Sequence, residues 1–62
     1  MRCSVHAYAG FNLIFSGYMT FVPRVGETIE TEIGRYKVTD VIYRLTTGEL
    51  TVTPVTLRLE EL

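Results

Sequence analysis

The 62-residue sequence has few of the residues from which disulfides and metal sites are built. It contains one cysteine, Cys3, one histidine, His6, and no tryptophan. A single cysteine cannot form a disulfide within the chain. Cys3 and His6 are three residues apart in an extended segment, which directs their side chains to opposite faces. The pair therefore predicts neither a metal site nor a thiol nucleophile with its base. We expect a reduced core thiol, no cofactor and no catalytic residue.

The sequence also lacks a strong charge and a long apolar run. Six basic and seven acidic residues give a net charge of -1, which does not supply the positive field that non-specific nucleic-acid binding requires. No stretch approaches the roughly 20 apolar residues of a membrane-spanning helix. The small residues Ala7 and Ala9 precede the apolar run at 11–15, whereas an export signal has the opposite order. We therefore expect a cytoplasmic protein that binds neither nucleic acid nor membrane.

The chain is short for the amount of apolar surface that it carries. A domain of about 60 residues buries only about 60% of the surface of its unfolded chain. Hydrophobic residues make up 47% of this sequence, and the runs at 13–15 and 41–43 place apolar groups on both faces of a strand. We predict a single domain, residues 1–62, that gains stability by self-association into a homo-oligomer.

One eight-residue sequence pattern occurs twice between residues 36 and 59. Residues 38–45 (VTDVIYRL) and 52–59 (VTPVTLRL) are identical at five of eight positions. The polar segment 46–49 between them includes Gly48, which can adopt the positive φ of a tight turn. We interpret the repeat as a long β-hairpin with Thr47 and Gly48 in its loop, so that the numbers of paired residues sum to 95.

The hydrophobic pattern of this hairpin predicts a bend. Strand side chains alternate with period 2, and the apolar pairs change phase near Thr39 and Asp40 on one strand and near Val55 and Thr56 on the other. A bulge or strong coiling there, with Pro54 at a bulge or an edge, would carry the hairpin from one layer to the next. This is how a small barrel is built from few strands.

The rest of the sequence predicts three further strands and no helix. Arg2–Ala9 alternates apolar and polar residues, and Gly10 then predicts a turn. Residues 13–22 are aromatic and β-branched enough to predict a second strand. Residues 23–26 predict a turn, and residues 27–33 a short third strand. The side chains expected to face the core from the first two strands are Cys3, Val5, Ala7, Leu13, Phe15, Met19 and Phe21. The fold class predicted is thus an all-β barrel of five strands.

Two segments of the chain carry a resemblance. Residues 21–29 (FVPRVGETI) and 36–43 (YKVTDVIY) are similar to a pattern in many short bacterial and phage proteins of uncharacterised function, and those proteins resemble SH3-like barrels. The shared part is a Pro-x-x-Gly-Glu-x-Ile turn followed by Tyr-x-Val-x-x-Val. The resemblance implies an SH3-like barrel and no catalytic residues to carry over, since this fold serves many unrelated functions. A five-stranded OB-like barrel remains the alternative.

Four basic residues are candidates for binding a small anionic ligand. The expected hairpin register places Lys37 opposite Arg58, with Arg35 two residues away on the same side, while Arg24 projects from the turn at 23–26. Like charges that face each other across strands are mildly destabilising unless another group neutralises them. Carboxylates on neighbouring strands would form a surface ion network of little energetic value, which we favour. A phosphate or nucleotide would instead make the cluster a ligand site.

Tyrosines provide the candidates for a subunit or partner contact. Tyr8 and Tyr18 fall in the polar phase of their strands, where aromatic side chains are typical of interfaces. Arg44 is a third candidate, beside Tyr43. We expect Tyr36 and Tyr43 to lie in the core.

These observations favour a non-enzymatic interaction module that self-associates and binds another protein, encoded by a phage or another mobile element. The alternative is a binder of a small anionic ligand or nucleotide, with a pocket formed between subunits. An enzyme assembled at a symmetry axis, as in the plasmid-type dihydrofolate reductases, is a third class, but the sequence nominates no residue for it.

Overall fold

The computed structural model describes residues 2–45 and 52–62, which form five strands and no helix. The strands are β1 (Arg2–Ala9), β2 (Asn12–Met19), β3 (Thr28–Thr31), β4 (Gly34–Tyr43) and β5 (Val52–Glu61). They make one sheet in the order β2-β1-β5-β4-β3, which curls strongly into a half-barrel. The prediction of an all-β, five-stranded small barrel is confirmed. Within the described residues, no helix is available that could cross a membrane.

The curled sheet buries its inner face. The three central strands β1, β5 and β4 supply the buried core, and Phe15, Met19 and Ile29 from the outer strands are partly buried against it. The alternation predicted for β1 is confirmed, and so is the burial of Tyr36. The buried residues are Cys3, Val5, Ala7, Tyr36, Val38, Val55, Leu57 and Leu59.

A tight turn joins β1 to β2. Ala9 pairs with Asn12, so Gly10 and Phe11 form a two-residue loop. Gly10 has a φ of +63°, whereas Phe11 does not have a positive φ. A positive φ at the first loop residue alone is the type II′ arrangement, whose twist matches that of the flanking strands. The turn predicted at Gly10 is confirmed.

A β-bulge in β2 changes which of its side chains face the core. Ala7 pairs with Phe15 but Tyr8 pairs with Leu13, so Ile14 is the extra residue. Ile14 and Phe15 both pack against the core, whereas Leu13 is exposed. The prediction that Leu13 faces the core is wrong because the bulge shifts the alternation by one residue.

The second predicted strand is also shorter than expected. It ends at Met19, so Phe21 lies beyond it and is 88% exposed instead of buried. The third strand, predicted over residues 27–33, ends at Thr31. Ile33 lies in the turn that follows and is exposed. Both expectations failed because the apolar alternation continues into segments that leave the sheet.

The β4–β5 hairpin is antiparallel, but its register differs from the predicted one. Val38 pairs with Leu59, and Val41 pairs with Leu57. The predicted register, with Val38 opposite Leu57 and Val41 opposite Pro54, is therefore wrong by two to three residues. The predicted loop at residues 47 and 48 lies outside the described residues.

The bend predicted in this hairpin is confirmed on β4 and wrong on β5. The register slips by one residue between Val38 and Asp40, which makes Thr39 the extra residue of a β-bulge. Val38 is buried before the bulge and Val41 packs on the core after it, so the inward phase of β4 changes. β5 keeps one inward phase from residue 55 to residue 59, because the bulge adds its residue to β4 alone.

Pro54 lies neither at a bulge nor at a sheet edge, contrary to prediction. It is part of β5, which runs between β1 and β4. Its carbonyl oxygen accepts a hydrogen bond of 3.0 Å from the N–H of Arg44. In an antiparallel ladder the N and C=O of one residue point to the same neighbouring strand. The backbone nitrogen of Pro54, which carries no hydrogen, therefore faces Arg44. Because Arg44 lies one residue beyond the end of β4, the absent N–H interrupts no pairing within β4.

The first and last strands of the chain are parallel neighbours at the centre of the sheet. Their pairing runs without a slip from Arg2 with Val52 to Ala9 with Leu59. This leaves β2 and β3 as the two edges. No Cα atom of β2 lies within 8 Å of one in β3, so the half-barrel is open between these two strands.

Candidate interaction surface

The outer, convex face of the sheet carries alternate residues of β2, β1, β5 and β4 in rows across the strands. The middle row consists of Ser16, His6, Thr56 and Ile42. On one side of it lies the row Tyr18, Ser4 and Pro54, which ends at Arg44. On the other side lies the row Leu13, Tyr8, Arg58 and Asp40. We call these three rows the outer face.

The three residues predicted for a subunit or partner contact, Tyr8, Tyr18 and Arg44, all lie on the outer face. Tyr18 and Arg44 end the same row, three strand spacings or roughly 14 Å apart. Tyr8 lies four residues along β1 from that row, at a similar distance. Tyr18 and Arg44 are exposed, and Tyr8 is half-buried. The guanidinium of Arg2 lies 5.5 Å from the ring centroid of Tyr18, a distance at which a cation is attracted to the aromatic face.

Two open depressions lie on the outer face and share Tyr8 and Thr56. One, of about 500 Å³, is also lined by His6, Ile42, Arg44 and Pro54. The other, of about 410 Å³, extends from Tyr8 and Thr56 to Phe11, Thr39 and Arg58. The two depressions make the outer face concave locally, with a guanidinium, a tyrosine ring and apolar groups at their borders. Such a mixture suits contact with another protein surface.

A smaller cavity of about 200 Å³ lies inside the half-barrel, between its two edges. Its lining is mainly apolar, from Ile14, Phe15 and Met19 on β2 and Ile29 on β3. A Cβ atom at Gly17 would lie 3.1 Å from Cζ of Phe15. The absence of a side chain at Gly17 therefore lets the Phe15 ring lie along its own strand, beside the cavity. The cavity offers chiefly apolar contacts to an occupant.

The structure does not form the predicted pair of like charges. Lys37 is opposite Glu60, and Arg58 is opposite Asp40. The prediction of Lys37 opposite Arg58 is wrong because the true register is displaced by two to three residues. Cross-strand neighbours of opposite sign stabilise a sheet, whereas like charges destabilise it.

The other two ligand candidates, Arg35 and Arg24, lie away from the pairs that Lys37 and Arg58 form. Arg35 is opposite Glu30 on β3. Arg24 lies in the turn after β2, where its N–H donates to Oε1 of Glu27 at 2.6 Å and its carbonyl accepts from the N–H of Glu27 at 3.1 Å. The sheet therefore places a carboxylate residue opposite three of the four basic candidates, namely Arg35, Lys37 and Arg58.

Further expectations concern Cys3, His6, Tyr43 and metal binding. Cys3 is buried on the inner face and His6 is exposed, so they face opposite ways as predicted. Tyr43, expected in the core, is 52% exposed. It is the last residue of β4, and β3 pairs only with residues 34–37 of that strand. Within residues 2–45 and 52–62, no group of three or more His, Cys, Asp or Glu residues is arranged to hold a metal ion.

The sequence reasoning missed one feature of the surface, the nature of the β2 edge. The strand reads NLIFSGYM and contains neither a charged residue nor a proline. This composition was readable from the sequence, but that β2 lies at an edge was not, because edge position depends on which distant strands pair.

The fold defines the chain as a small all-β half-barrel with a partly apolar outer face. No protein-family model, curated protein or solved structure matches the chain.

Proposed function

We propose that this chain is a non-enzymatic interaction module that self-associates and binds another protein through its outer face. The observation that carries the proposal is the exposure of large apolar side chains. In the described part of the chain, ten such side chains are exposed, against a core of eight buried residues. Three of the ten, Leu13, Tyr18 and Ile42, lie on the outer face, and exposed apolar patches are typical of interaction surfaces. The exposed side chains are Phe11, Leu13, Tyr18, Phe21, Val25, Ile33, Ile42, Tyr43, Leu45 and Leu62.

The size of the core supports self-association. The buried residues line one face of a single curled sheet. The largest fully buried side chains are those of Leu57, Val5, Val38 and Val55. A single core rarely supplies more than about 3 to 5 kcal/mol of stability in a chain of this length. Burial of the exposed apolar groups between copies would add the missing stabilisation.

The central strands support a protein partner on the outer face. β1 and β5 lie side by side at the centre of the sheet. Their outer residues include Tyr8 and Arg58, and tyrosine and arginine are enriched among the residues that dominate binding energy. Of the basic residues on this side, Arg58 and Lys37 are opposite carboxylate residues, Asp40 and Glu60. Arg2 and Arg44 are instead opposite Val52 and Pro54, which carry no charge. The partner expected is therefore a protein whose contact surface is apolar and acidic.

The alternative function is a small anionic ligand or nucleotide site formed between subunits by Arg24, Arg35, Lys37 and Arg58. It rests on fewer observations, because three of these residues face a carboxylate residue within the sheet. The interaction module is therefore the function that the geometry supports best.

Within the small-barrel class, we place the chain with the SH3-like proteins of bacteria and phages. Residues 21–29 and 36–43, which carry the resemblance, support this assignment. A cytoplasmic role and an origin in a phage or another mobile element belong to the same proposal.

Self-association is tested on the purified protein by size-exclusion chromatography with light scattering and by native mass spectrometry. We expect an oligomer that dissociates on dilution and carries no small anionic companion. A monomer at every concentration would contradict the proposal, and a retained phosphate-bearing compound would favour the alternative function.

Partner binding is tested by affinity capture from bacterial extract, followed by calorimetry with the purified partner. Arg44→Glu is compared with Arg24→Glu, which makes the same charge change in the turn after β2. We expect Arg44→Glu to abolish capture and Arg24→Glu to retain it. Equal capture by both variants would show that the outer face is not the contact surface.

A further inference from the structure

The two edges of the sheet differ in their protection against pairing with another strand. β3 has only four residues, Thr28–Thr31, with the charged side chain of Glu30 in the strand and Glu27 and Glu32 just outside it. β2 has eight residues, Asn12–Met19, with no charge and no proline. Proteins blunt exposed edges with short strands, charged side chains and proline. β3 has two of these features, whereas β2 has none of them. β2 does carry the bulge at Ile14, which also protects edges, but this bulge leaves residues 15–19 of the strand regular.

We propose that β2 of one copy pairs antiparallel with β2 of a second copy, so that two five-stranded sheets join into one sheet of ten strands. The inference rests on the proposed self-association and names the edge through which it occurs. Unpaired backbone N–H and C=O groups along an edge provide the hydrogen bonds of such strand addition.

The occupant is a second copy because β2 is complementary to itself. A strand paired antiparallel with its own copy about a twofold axis offers each donor a matching acceptor. The strand is uncharged, so two copies approach without repulsion. Apolar side chains also continue across the junction on both sides: Phe15 and Met19 are partly buried on the inner face, and Leu13 and Tyr18 are exposed on the outer face.

The alternation of side chains restricts the register. The twofold axis is perpendicular to the sheet, so outer residues face outer residues and inner residues face inner residues. Within the regular part of β2, the axis then passes through Ser16 or through Gly17. In both registers the two Ser16 residues lie on one face, with Cβ atoms about 5 to 8 Å apart. The axis at Ser16 places Phe15 of each copy opposite Gly17 of the other.

The charges on β3 limit the assembly to two copies. After β2 pairs with β2, the two remaining edges are both β3. A contact between two β3 strands would bring two Glu30 residues together, and like charges on paired strands are destabilising. The assembly expected is therefore a closed dimer and not a fibre.

The test introduces a lysine at the proposed axis. Ser16→Lys places a charge on the edge, and His6→Lys is the matched control, because His6 pairs with Ser16 but lies one strand further in. Sedimentation equilibrium measures the dimer dissociation constant, and circular dichroism checks the fold. We expect Ser16→Lys to raise the dissociation constant by up to about fivefold and His6→Lys to leave it unchanged.

Charge complementation makes the test specific to this edge. Ser16→Glu should weaken its own dimer, and an equimolar mixture of Ser16→Lys with Ser16→Glu should form mixed dimers more tightly than either variant forms its own. A dimer that none of the Ser16 variants weakens would overturn the β2 pairing and leave self-association intact. Equal weakening by His6→Lys, or an assembly larger than two, would also overturn it. A wild-type protein that is monomeric at every concentration would overturn the self-association itself.

Discussion

Thr39 and Arg58 are joined across the β4–β5 ladder by a hydrogen bond of 3.1 Å, in which Oγ1 of Thr39 donates to the backbone carbonyl oxygen of Arg58. The bond lies at the bulge where the register slips by one residue. A bulge leaves its extra residue outside the regular ladder. The side chain of that residue here makes a contact with the opposite strand, so the bulge is held by a side-chain bond as well as by the flanking pairs.

Replacement of Thr39 by valine should lower the free energy of unfolding. Thr39→Val keeps the β-branched shape and removes the hydroxyl, and a typical intramolecular hydrogen bond contributes about 0.5 to 1.5 kcal/mol. Thr28→Val is the control, since Thr28 is an exposed threonine on β3. Urea denaturation at one protein concentration measures both. Equal effects of the two substitutions would show that the Thr39 hydroxyl does not stabilise the bulge.

A charge reversal at Lys37 tests the register of the β4–β5 hairpin, because the register decides whether the change lowers or raises stability. Because Lys37 is opposite Glu60, Lys37→Glu should destabilise the fold by about 0.2 to 1 kcal/mol through like charges on paired strands. The double variant Lys37→Glu with Glu60→Lys should recover the loss. In the register that the sequence predicts, the same substitution would face Arg58 and increase stability. Urea midpoints of the three proteins at one concentration distinguish the registers.

Gly10 should tolerate asparagine far better than valine. Its φ of +63° is in the left-handed region, and a Cβ atom there would have no heavy atom within 4 Å. The effect of a substitution is thus one of backbone conformation and not of packing. We expect Gly10→Val to cost about 1 to 2 kcal/mol and Gly10→Asn less, because asparagine is among the residues that primed turns accept at positions of positive φ. Thermal unfolding of both variants tests the type II′ turn. Equal losses of stability in the two variants would contradict it.

Leu57 should be essential for folding, and Leu62 should not. The side chain of Leu57 is 0% exposed, whereas Leu62 is 64% exposed. Deletion of a buried leucine side chain to alanine typically costs 2 to 5 kcal/mol, which is about as much as a single core of this length supplies. Leu57→Ala is therefore expected to be largely unfolded by circular dichroism, and Leu62→Ala to remain folded. A well-folded Leu57→Ala protein would contradict the small-core argument.

Local patterns in the sequence predicted the local features of the fold. The alternation of β1 identified its inward residues, Gly10 marked the first turn, and the phase change at Thr39 and Asp40 located the bulge of β4. Each of these depends on residues close together in the chain. The failures at Leu13 and Phe21 have the same origin, because a local pattern does not reveal where a bulge shifts the phase or where a strand leaves the sheet.

The candidate surface was predictable only in part. The polar phase of Tyr8 and Tyr18 followed from alternation, and both lie on the outer face with Arg44. The cluster of Lys37 and Arg58 did not follow, because a displacement of two to three residues replaced a like-charge pair by two pairs of opposite charge.

The sequence by itself determined that residues 2–45 and 52–62 form five strands without a helix, and which side of β1 is buried. It did so because side-chain direction in a strand has period 2 and turns need particular residues. Only the tertiary structure decided that β1 lies beside β5, that the register is set as observed, and that β2 is an uncharged edge. Those choices follow from pairing between segments distant in the chain, where the free energy depends on how the whole sheet closes over its core and not on any one segment.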